Sequence, residues 1–248
     1  MSRFVKTLTL LAACVVALGI GAAAPPDTSR QTDGARAEDL YRHRDDIPSA
    51  KRAAAIWAAQ ASSAYEPAWK LARISYWIGT NAPANERRAA LDQGEKAGET
   101  AVRLAPGKPE GHFWLAANMG ELAENFGVMQ ELKYRGRIRD ELQRVIAIQP
   151  DWQDASAECG LGQWYYEVPG WLGGSRKKGK DLLEHALAAH PQSKTALSFM
   201  ADIMIAEGKK TEARGLLQRV LESPLDPDWT PEDLDLQKKA AALLKTLK

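Results

Sequence analysis

The chain has 248 residues, of which 45% are hydrophobic and 26% are charged. These proportions exclude a fully disordered chain, a collagen-like chain and a protein that crosses a membrane many times. The 33 basic and 32 acidic residues give a net charge of +1. Because no long run of like charge occurs, nucleic acid is not an expected partner.

The N-terminus has the pattern of an export signal. A positively charged start, with Arg3 and Lys6, precedes an uncharged and mostly apolar run over residues 7–24. Small residues at positions 21 and 23 favour cleavage after Ala23. We therefore predict a signal peptide over residues 1–23 and an exported, periplasmic mature chain.

Two membrane-anchored alternatives remain open for this segment. Residues 11–14 resemble a lipoprotein box, in which Cys14 would be lipidated and would tether the protein to a membrane. An apolar run of about 18 residues is also near the lower limit for spanning a bilayer, so an uncleaved helix would anchor the chain. The other cysteine, Cys159, falls at a packing position, where a buried and inert thiol is expected.

Residues 24–36 are rich in proline and polar residues and have no apolar period, which predicts a flexible leader. From residue 37 onward the chain consists of helix-forming segments. Prolines recur after helix-like runs at positions 67, 106, 150, 191 and 224, with spacings of 39, 44, 41 and 33 residues. Each predicts a helix end, because proline lacks the N–H donor and its ring clashes with the preceding turn.

A period near 34 residues is typical of tetratricopeptide repeats, in which two helices form one unit. Residues 194–224 fit this pattern best, with small side chains where paired helices touch and larger apolar ones between pairs. These positions are Leu197, Met200, Ala201 and Met204, then Ala213, Leu217 and Val220. The longer units predict insertions, as loops or added helical turns, around residues 80–87, 125–136 and 168–176.

The C-terminus contains a further helix start at Thr230, followed by Pro231 and acidic residues. We therefore predict an all-α protein, an α-α superhelix of about four helix pairs plus a C-terminal capping helix. This tetratricopeptide-like helical repeat domain covers residues 37–248.

Three segments rich in aromatic residues resemble a known family. They are Glu-Gly-His-Phe-Trp-Leu at 110–115, Trp-Tyr-Tyr-Glu-Val-Pro-Gly-Trp-Leu-Gly-Gly-Ser at 164–175 and Pro-Leu-Asp-Pro-Asp-Trp at 224–229. The chain resembles the T component of bacterial TRAP transporter systems, a tetratricopeptide lipoprotein, and more distantly the eukaryotic regulators of microtubule dynamics. The first resemblance implies an exported protein that assembles with a periplasmic substrate-binding protein and oligomerises around an apolar channel for hydrophobic ligands.

Aromatic residues concentrate on the first helix of each predicted pair, which lines the concave surface of a superhelix. Indole and phenol groups offer a large apolar area with one polar group, which suits a peptide or an amphipathic carboxylate. The candidate groove residues are Trp69, Trp77, His112, Trp114, Trp164 and Tyr166. The alternative is that these aromatic residues form the core between repeats and that His112 is bonded within its own repeat.

No motif in the sequence points to catalysis or to a cofactor. Residues 174–180 match part of a phosphate-binding loop, but Asp181 stands where that motif needs Ser or Thr to hold magnesium. The four histidines are scattered, so no metal site is expected. We predict a non-enzymatic protein-interaction module without a cofactor. A hydrophobic carboxylate ligand and a homo-oligomer are open alternatives, as are a generic periplasmic scaffold for envelope complexes and an enzyme that uses the 168–181 loop.

Overall fold

The computed structural model describes residues 28–247, so the predictions for residues 1–23 and for Cys14 lie outside the described residues. Within that range the chain forms eleven α-helices and no strand, which confirms the predicted all-α class. The helices are α1 (Thr28–Arg42), α2 (Ile47–Ala58), α3 (Tyr65–Asn81), α4 (Ala84–Leu104), α5 (Pro109–Asn125), α6 (Val128–Ile148), α7 (Ser156–Glu167), α8 (Arg176–Ala189), α9 (Lys194–Ala206), α10 (Lys210–Glu222) and α11 (Thr230–Thr246).

The helices pack as successive antiparallel pairs. Short connections join α3 to α4, α5 to α6 and α9 to α10, and each of these pairs packs along its length. The helices α7 and α8 form a fourth pair, with a 3₁₀ turn at Gly170–Leu172 in their connection. The last helix, α11, packs on α10 and α9 and ends the stack. This arrangement confirms the predicted α-α superhelix with a C-terminal capping helix.

A further pair, α1 and α2, lies at the N-terminal end of the stack. Part of the predicted flexible leader, residues 28–36, is helical in the structure and forms the first part of α1. Ala37 and Tyr41 on α1 are buried, and the Tyr41 ring packs against Trp57 of α2 with centroids 6.0 Å apart. Tertiary packing thus stabilises a helix that local propensity does not predict.

Four of the five prolines end helices as predicted. Pro106, Pro150, Pro191 and Pro224 each lie two residues beyond the last residue of a helix. Pro67 instead lies in the first turn of α3, where the backbone N–H has no acceptor within the helix and proline is tolerated. The prediction that Pro67 ends a helix is therefore wrong.

The extra length of the earlier repeats is mainly helical. The helices α4 and α6 have 21 residues each, and α3 and α5 have 17 each, whereas α9 and α10 have 13. At 3.6 residues per turn the difference amounts to about one or two turns. The insertions predicted around 80–87 and 125–136 are thus added turns, while residues 168–176 contain a loop.

Small residues set the distance between paired helices. The apolar positions predicted for α9 and α10 are all buried, and two glycines lie where α7 crosses α8. A Cβ atom on Gly179 would lie 2.6 Å from the carbonyl oxygen of Gly162 and 2.8 Å from the backbone nitrogen of Tyr166. Because both neighbours are backbone atoms, they cannot move aside without shifting a helix.

The two ends of the stack are tied together through Arg44, in the turn between α1 and α2. Its side chain is 2% exposed, its Nε donates to Glu232 Oε1 at 2.9 Å, and its Nη2 donates to the Asp228 carbonyl oxygen at 2.9 Å. The segment over residues 224–229, which we call the C-terminal strap, must therefore cross the concave face to reach α1 and α2. Trp229 at its end stacks on Trp114 of α5, with ring centroids 6.0 Å apart.

The α7–α8 crossing generates a prediction for stability. Gly179→Ala is expected to destabilise the fold by about 1–3 kcal/mol, because overpacking against backbone forces the helices apart. Gly215→Ala is the matched control, since a Cβ atom there meets no other atom within 4 Å and alanine in a helix is favoured by about 1 kcal/mol. Urea unfolding of both variants measures the effect. A Gly179→Ala variant as stable as Gly215→Ala would contradict the close packing.

Candidate functional site

The concave face holds a groove of about 1330 Å³. Its walls come from the first helices α3, α5, α7 and α9, from α6, and from the C-terminal strap with the start of α11. We call this space the concave groove. Six aromatic side chains line it, namely Tyr76, Phe113, Trp114, Trp164, Phe199 and Trp229.

Trp114 is the centre of this aromatic lining. Its side chain is buried, with 4% of the residue exposed. Its ring packs edge to face against Phe113, with ring centroids 5.1 Å apart, and against Tyr76, with ring centroids 5.8 Å apart. Trp229 of the C-terminal strap stacks on it with an interplanar angle of 24°. Among the described residues its indole N–H has no hydrogen-bond acceptor, an uncommon state for a buried donor.

Two of the six predicted groove residues, Trp114 and Trp164, line the concave groove. The Trp164 indole donates from Nε1 to the carbonyl oxygen of Arg135 at 3.0 Å, which fixes the ring across the space between α6 and α7. Both side chains are almost fully buried, so each contributes to the core as well as to the wall of the groove.

The other four predicted residues do not line the concave groove. Trp77 is buried and donates from Nε1 to the Arg44 carbonyl oxygen at 2.5 Å. Trp69 lies half-buried, with the guanidinium carbon of Arg73 4.9 Å from its ring centroid. Tyr166 lies beside Arg176, whose guanidinium carbon is 5.5 Å from the ring centroid.

The remaining residue, His112, makes contacts within the helical stack. Its Nδ1 lies 2.5 Å from Glu141 Oε2, and its Nε2 lies 3.0 Å from the Pro106 carbonyl oxygen. Burial lowers the pKa of His112, but the hydrogen bonds to Glu141 and Pro106 outweigh it, and the pKa is raised. With an acceptor at each ring nitrogen, the ring donates on both sides in its protonated form, which the raised pKa favours, and its contact with Glu141 links α5 to α6.

Sequence reasoning missed the role of Trp229 as a wall of the groove. The residue lies outside the repeat pattern, in a segment rich in proline and aspartate. A tryptophan in such a polar connection is a weak local signal that the connection packs against another part of the chain. Its contact with Trp114 depends on the path of the C-terminal strap, which no repeat position predicts.

The concave groove has more unpaired acidic side chains than unpaired basic ones. The cation Lys194 is neutralised by Asp233, with Nζ 2.8 Å from Oδ2, whereas Arg135 forms no ion pair among the described residues. Glu121, Glu124 and Glu167 also line the groove, and none of them is ion-paired within residues 28–247. The excess of unpaired carboxylates disfavours the predicted hydrophobic carboxylate ligand, since like charges repel.

The loop that resembles a phosphate-binding motif has structural partners. The Ser175 hydroxyl caps α8 by accepting a hydrogen bond from the Lys178 backbone N–H at 3.3 Å. Lys180 Nζ lies 3.1 Å from Oε2 of Glu207, in the turn after α9. Gly179 packs against α7. The residues of this motif thus take part in capping, ion pairing and helix packing.

Three further features bear on the predicted chemistry and location. Within residues 28–247 no group of His, Cys, Asp and Glu side chains could hold a metal ion. No helix in that range is both long and apolar enough to span a membrane. Cys159 is buried, and burial raises the pKa of its thiol to about 12, so the unreactive protonated form is favoured.

The fold and the groove define a tetratricopeptide-like helical repeat protein. Residues 174–230 match the family model of a tetratricopeptide repeat. A solved structure, a thermophilic tetratricopeptide-repeat protein of Thermus thermophilus, is similar with a TM-score of 0.64 and 20% identity, over 87% of this chain and 98% of that one. At this identity the likeness concerns the fold alone.

Within this class the chain belongs to the family described as regulator of microtubule dynamics protein 1-3, whose model matches residues 35–182. The regulator of microtubule dynamics protein 3 of Xenopus laevis is 30% identical over 120 residues, which are 47% of this chain and 25% of that protein. The protein of the same name from Bos taurus is 27% identical over 189 residues, 68% of this chain and 39% of that protein. This chain thus matches less than half of the length of either relative.

These matches decide between the two resemblances drawn from the aromatic segments. They support the more distant one, to the regulators of microtubule dynamics. The predicted identity with the T component of TRAP transporters has no support among them. Short aromatic motifs are a poor guide at this level, because packing between helical repeats selects them in many families.

The contact between His112 and Glu141 predicts a pH-dependent contribution to stability. A raised pKa in the folded state stabilises the fold below the unfolded-state pKa of about 6.5, and this contribution is lost as the pH rises through the folded-state pKa. Glu141→Gln should therefore lower the free energy of unfolding most at about pH 5.5, with a deficit that shrinks at higher pH.

Urea unfolding of the wild type and the variant across this pH range measures the deficit. Glu222→Gln on α10 makes the same chemical change away from histidine, and its effect should not vary with pH in this way. A deficit of Glu141→Gln that stays constant with pH would contradict an imidazolium at this position.

Proposed function

We propose that the chain is a non-enzymatic scaffold that binds a segment of a partner protein in the concave groove. The observation that carries this proposal is the groove itself, an aromatic-lined space of about 1330 Å³ built by the first helices of consecutive pairs. This volume exceeds the roughly 300–1,000 Å³ of typical small-molecule pockets. Superhelices of this kind present such extended concave surfaces for binding.

The aromatic lining supplies the anchoring energy for such a partner. Tryptophan and tyrosine are enriched among residues that dominate binding energy at interfaces, because they bury a large area with few rotatable bonds. Phe113, Trp164 and Phe199 come from three successive repeats and would contact an extended or helical segment along its length.

The setting of this scaffold is a separate proposal. Membership of the regulator of microtubule dynamics family favours a partner that takes part in microtubule dynamics. A periplasmic substrate-binding protein, the partner implied by the transporter resemblance, has no such support.

Export of the chain is a further proposal, which rests on the sequence of residues 1–23. The mass of the purified mature chain tests it. Cleavage would make Ala24 the first residue, whereas a chain that retains Met1 would contradict the proposal.

A photo-cross-linking amino acid placed in the groove tests the scaffold proposal. Substituted at Gln163, which lines the concave groove, it should trap a defined partner in cells that produce the chain. The matched control is the same substitution at Gln218 on the exposed surface of α10, which should trap no such partner. Equal products from both positions, or products from Gln218 alone, would contradict binding in the groove.

A further inference from the structure

We propose that the partner segment of the concave groove is basic and amphipathic, with Lys or Arg beside an apolar face. This inference rests on the proposed function and adds the chemical class of the partner. It follows from which charges of the groove the chain neutralises by itself and which it leaves unpaired.

The acidic side of the argument concerns three carboxylates on the groove wall. Glu121 and Glu124 lie in the final turns of α5, and Glu167 is the last residue of α7. None of them forms an ion pair with a Lys or Arg in the part of the chain that the structure describes. Both helices end here, and a helix C-terminus carries partial negative charge that also attracts cations.

These carboxylates are close enough to repel one another. Partial removal from water raises the pKa of Glu121, and the neighbouring charge of Glu124 raises it further, while Lys239, a hydrogen bond from Tyr76 and Arg87 lower it in part. Removal from water and then Glu124 and Asp202 raise the pKa of Glu167, against a hydrogen bond from Gln163. A cation from a partner would relieve this repulsion.

Of the two Lys or Arg side chains that line the concave groove, the chain neutralises Lys194, and it also neutralises Arg44, which lies outside the groove lining. Arg44 is held by Glu232 and by the Asp228 carbonyl oxygen, and Lys194 is held by Asp233. All three acceptors belong to the C-terminal strap or to the first turn of α11. Arg135 alone among the groove-lining Lys and Arg residues that the structure describes has no ion pair, so the unpaired charge is predominantly negative.

The apolar side of the argument concerns the floor of the same groove. Trp114, almost fully buried, lines it with an indole N–H that lacks an acceptor among the described residues. A polypeptide carries a carbonyl acceptor at every residue, whereas a simple cation or a polyamine carries none. An apolar face over these rings and basic side chains toward Glu121, Glu124 and Glu167 would match both parts of the groove.

The test uses three synthetic helical peptides with the same apolar face and with Lys, Gln or Glu at the polar positions. Binding is followed by fluorescence anisotropy with the chain starting at Ala24. The Lys peptide is expected to bind saturably and at least about tenfold more tightly than the Glu peptide, with an affinity that falls as salt screens the charges.

Matched variants locate the effect. Combining Glu121→Gln, Glu124→Gln and Glu167→Gln should weaken binding of the Lys peptide by about tenfold or more. Combining Glu184→Gln, Glu212→Gln and Glu222→Gln on α8 and α10 changes the net charge equally and should have little effect. The first variant should fold, because it removes repulsion between like charges, and circular dichroism checks this.

Three results would overturn the inference. They are equal or tighter binding of the Glu peptide, an equal loss of binding in both triple variants, and no saturable binding of the Lys peptide. The cross-linker at Gln163 separates this failure from failure of the scaffold proposal, because trapping of a partner through an acidic or neutral segment would leave the scaffold intact.

Discussion

The buried guanidinium of Arg44 is the constraint on which the shape of the concave face depends. A cation with a side chain only 2% exposed must be neutralised, since an unpaired buried charge is strongly destabilising. Its carboxylate partner, Glu232, lies 188 positions later in the chain. To satisfy Arg44, the C-terminal strap must cross the superhelix and return to the first two helices.

This crossing converts an open curved surface into a walled groove. The strap places Trp229 over Trp114, and the start of α11 places Asp233 beside Lys194. The strap and the start of α11 thus cover part of the aromatic floor and neutralise Lys194 and Arg44, while Arg135 has no ion pair among the described residues. The carboxylates at the ends of α5 and α7 are left without ion-pair partners among the described residues, so the chain's own folding determines the charge that a partner meets.

Sequence features within one repeat predict the helical pairs well, but they do not predict the contact that joins the two ends of the stack. The prolines at 106, 150, 191 and 224 and the small residues at Ala201 and Ala213 act within one repeat, so their roles can be predicted from sequence. The added turns of α3 to α6 were harder to predict, since a helix that lengthens and a loop that is inserted change the spacing of prolines equally. Pairing of Arg44 with Glu232 has no local signal at all.

The candidate groove was predicted only in part for the same reason. Trp114 and Trp164 face it because they lie on first helices, as predicted, yet Trp69, Trp77 and Tyr166 lie on first helices as well and pack elsewhere. Adjacent helical positions point about 100° apart, so a one-residue difference decides between core and groove. Only the positions of the neighbouring helices determine which side chains face the core and which face the groove.

A double-mutant cycle between Arg44 and Glu232 tests the central claim most directly. Arg44→Met, Glu232→Gln and their combination would be compared with the wild type by urea unfolding, which isolates the coupling between the two side chains. The closed superhelix predicts a favourable coupling of about 1.5 kcal/mol or more, as expected for a buried charged pair. A coupling within about 0.5 kcal/mol of zero would mean that the two ends of the stack are not joined, and would contradict the walled groove.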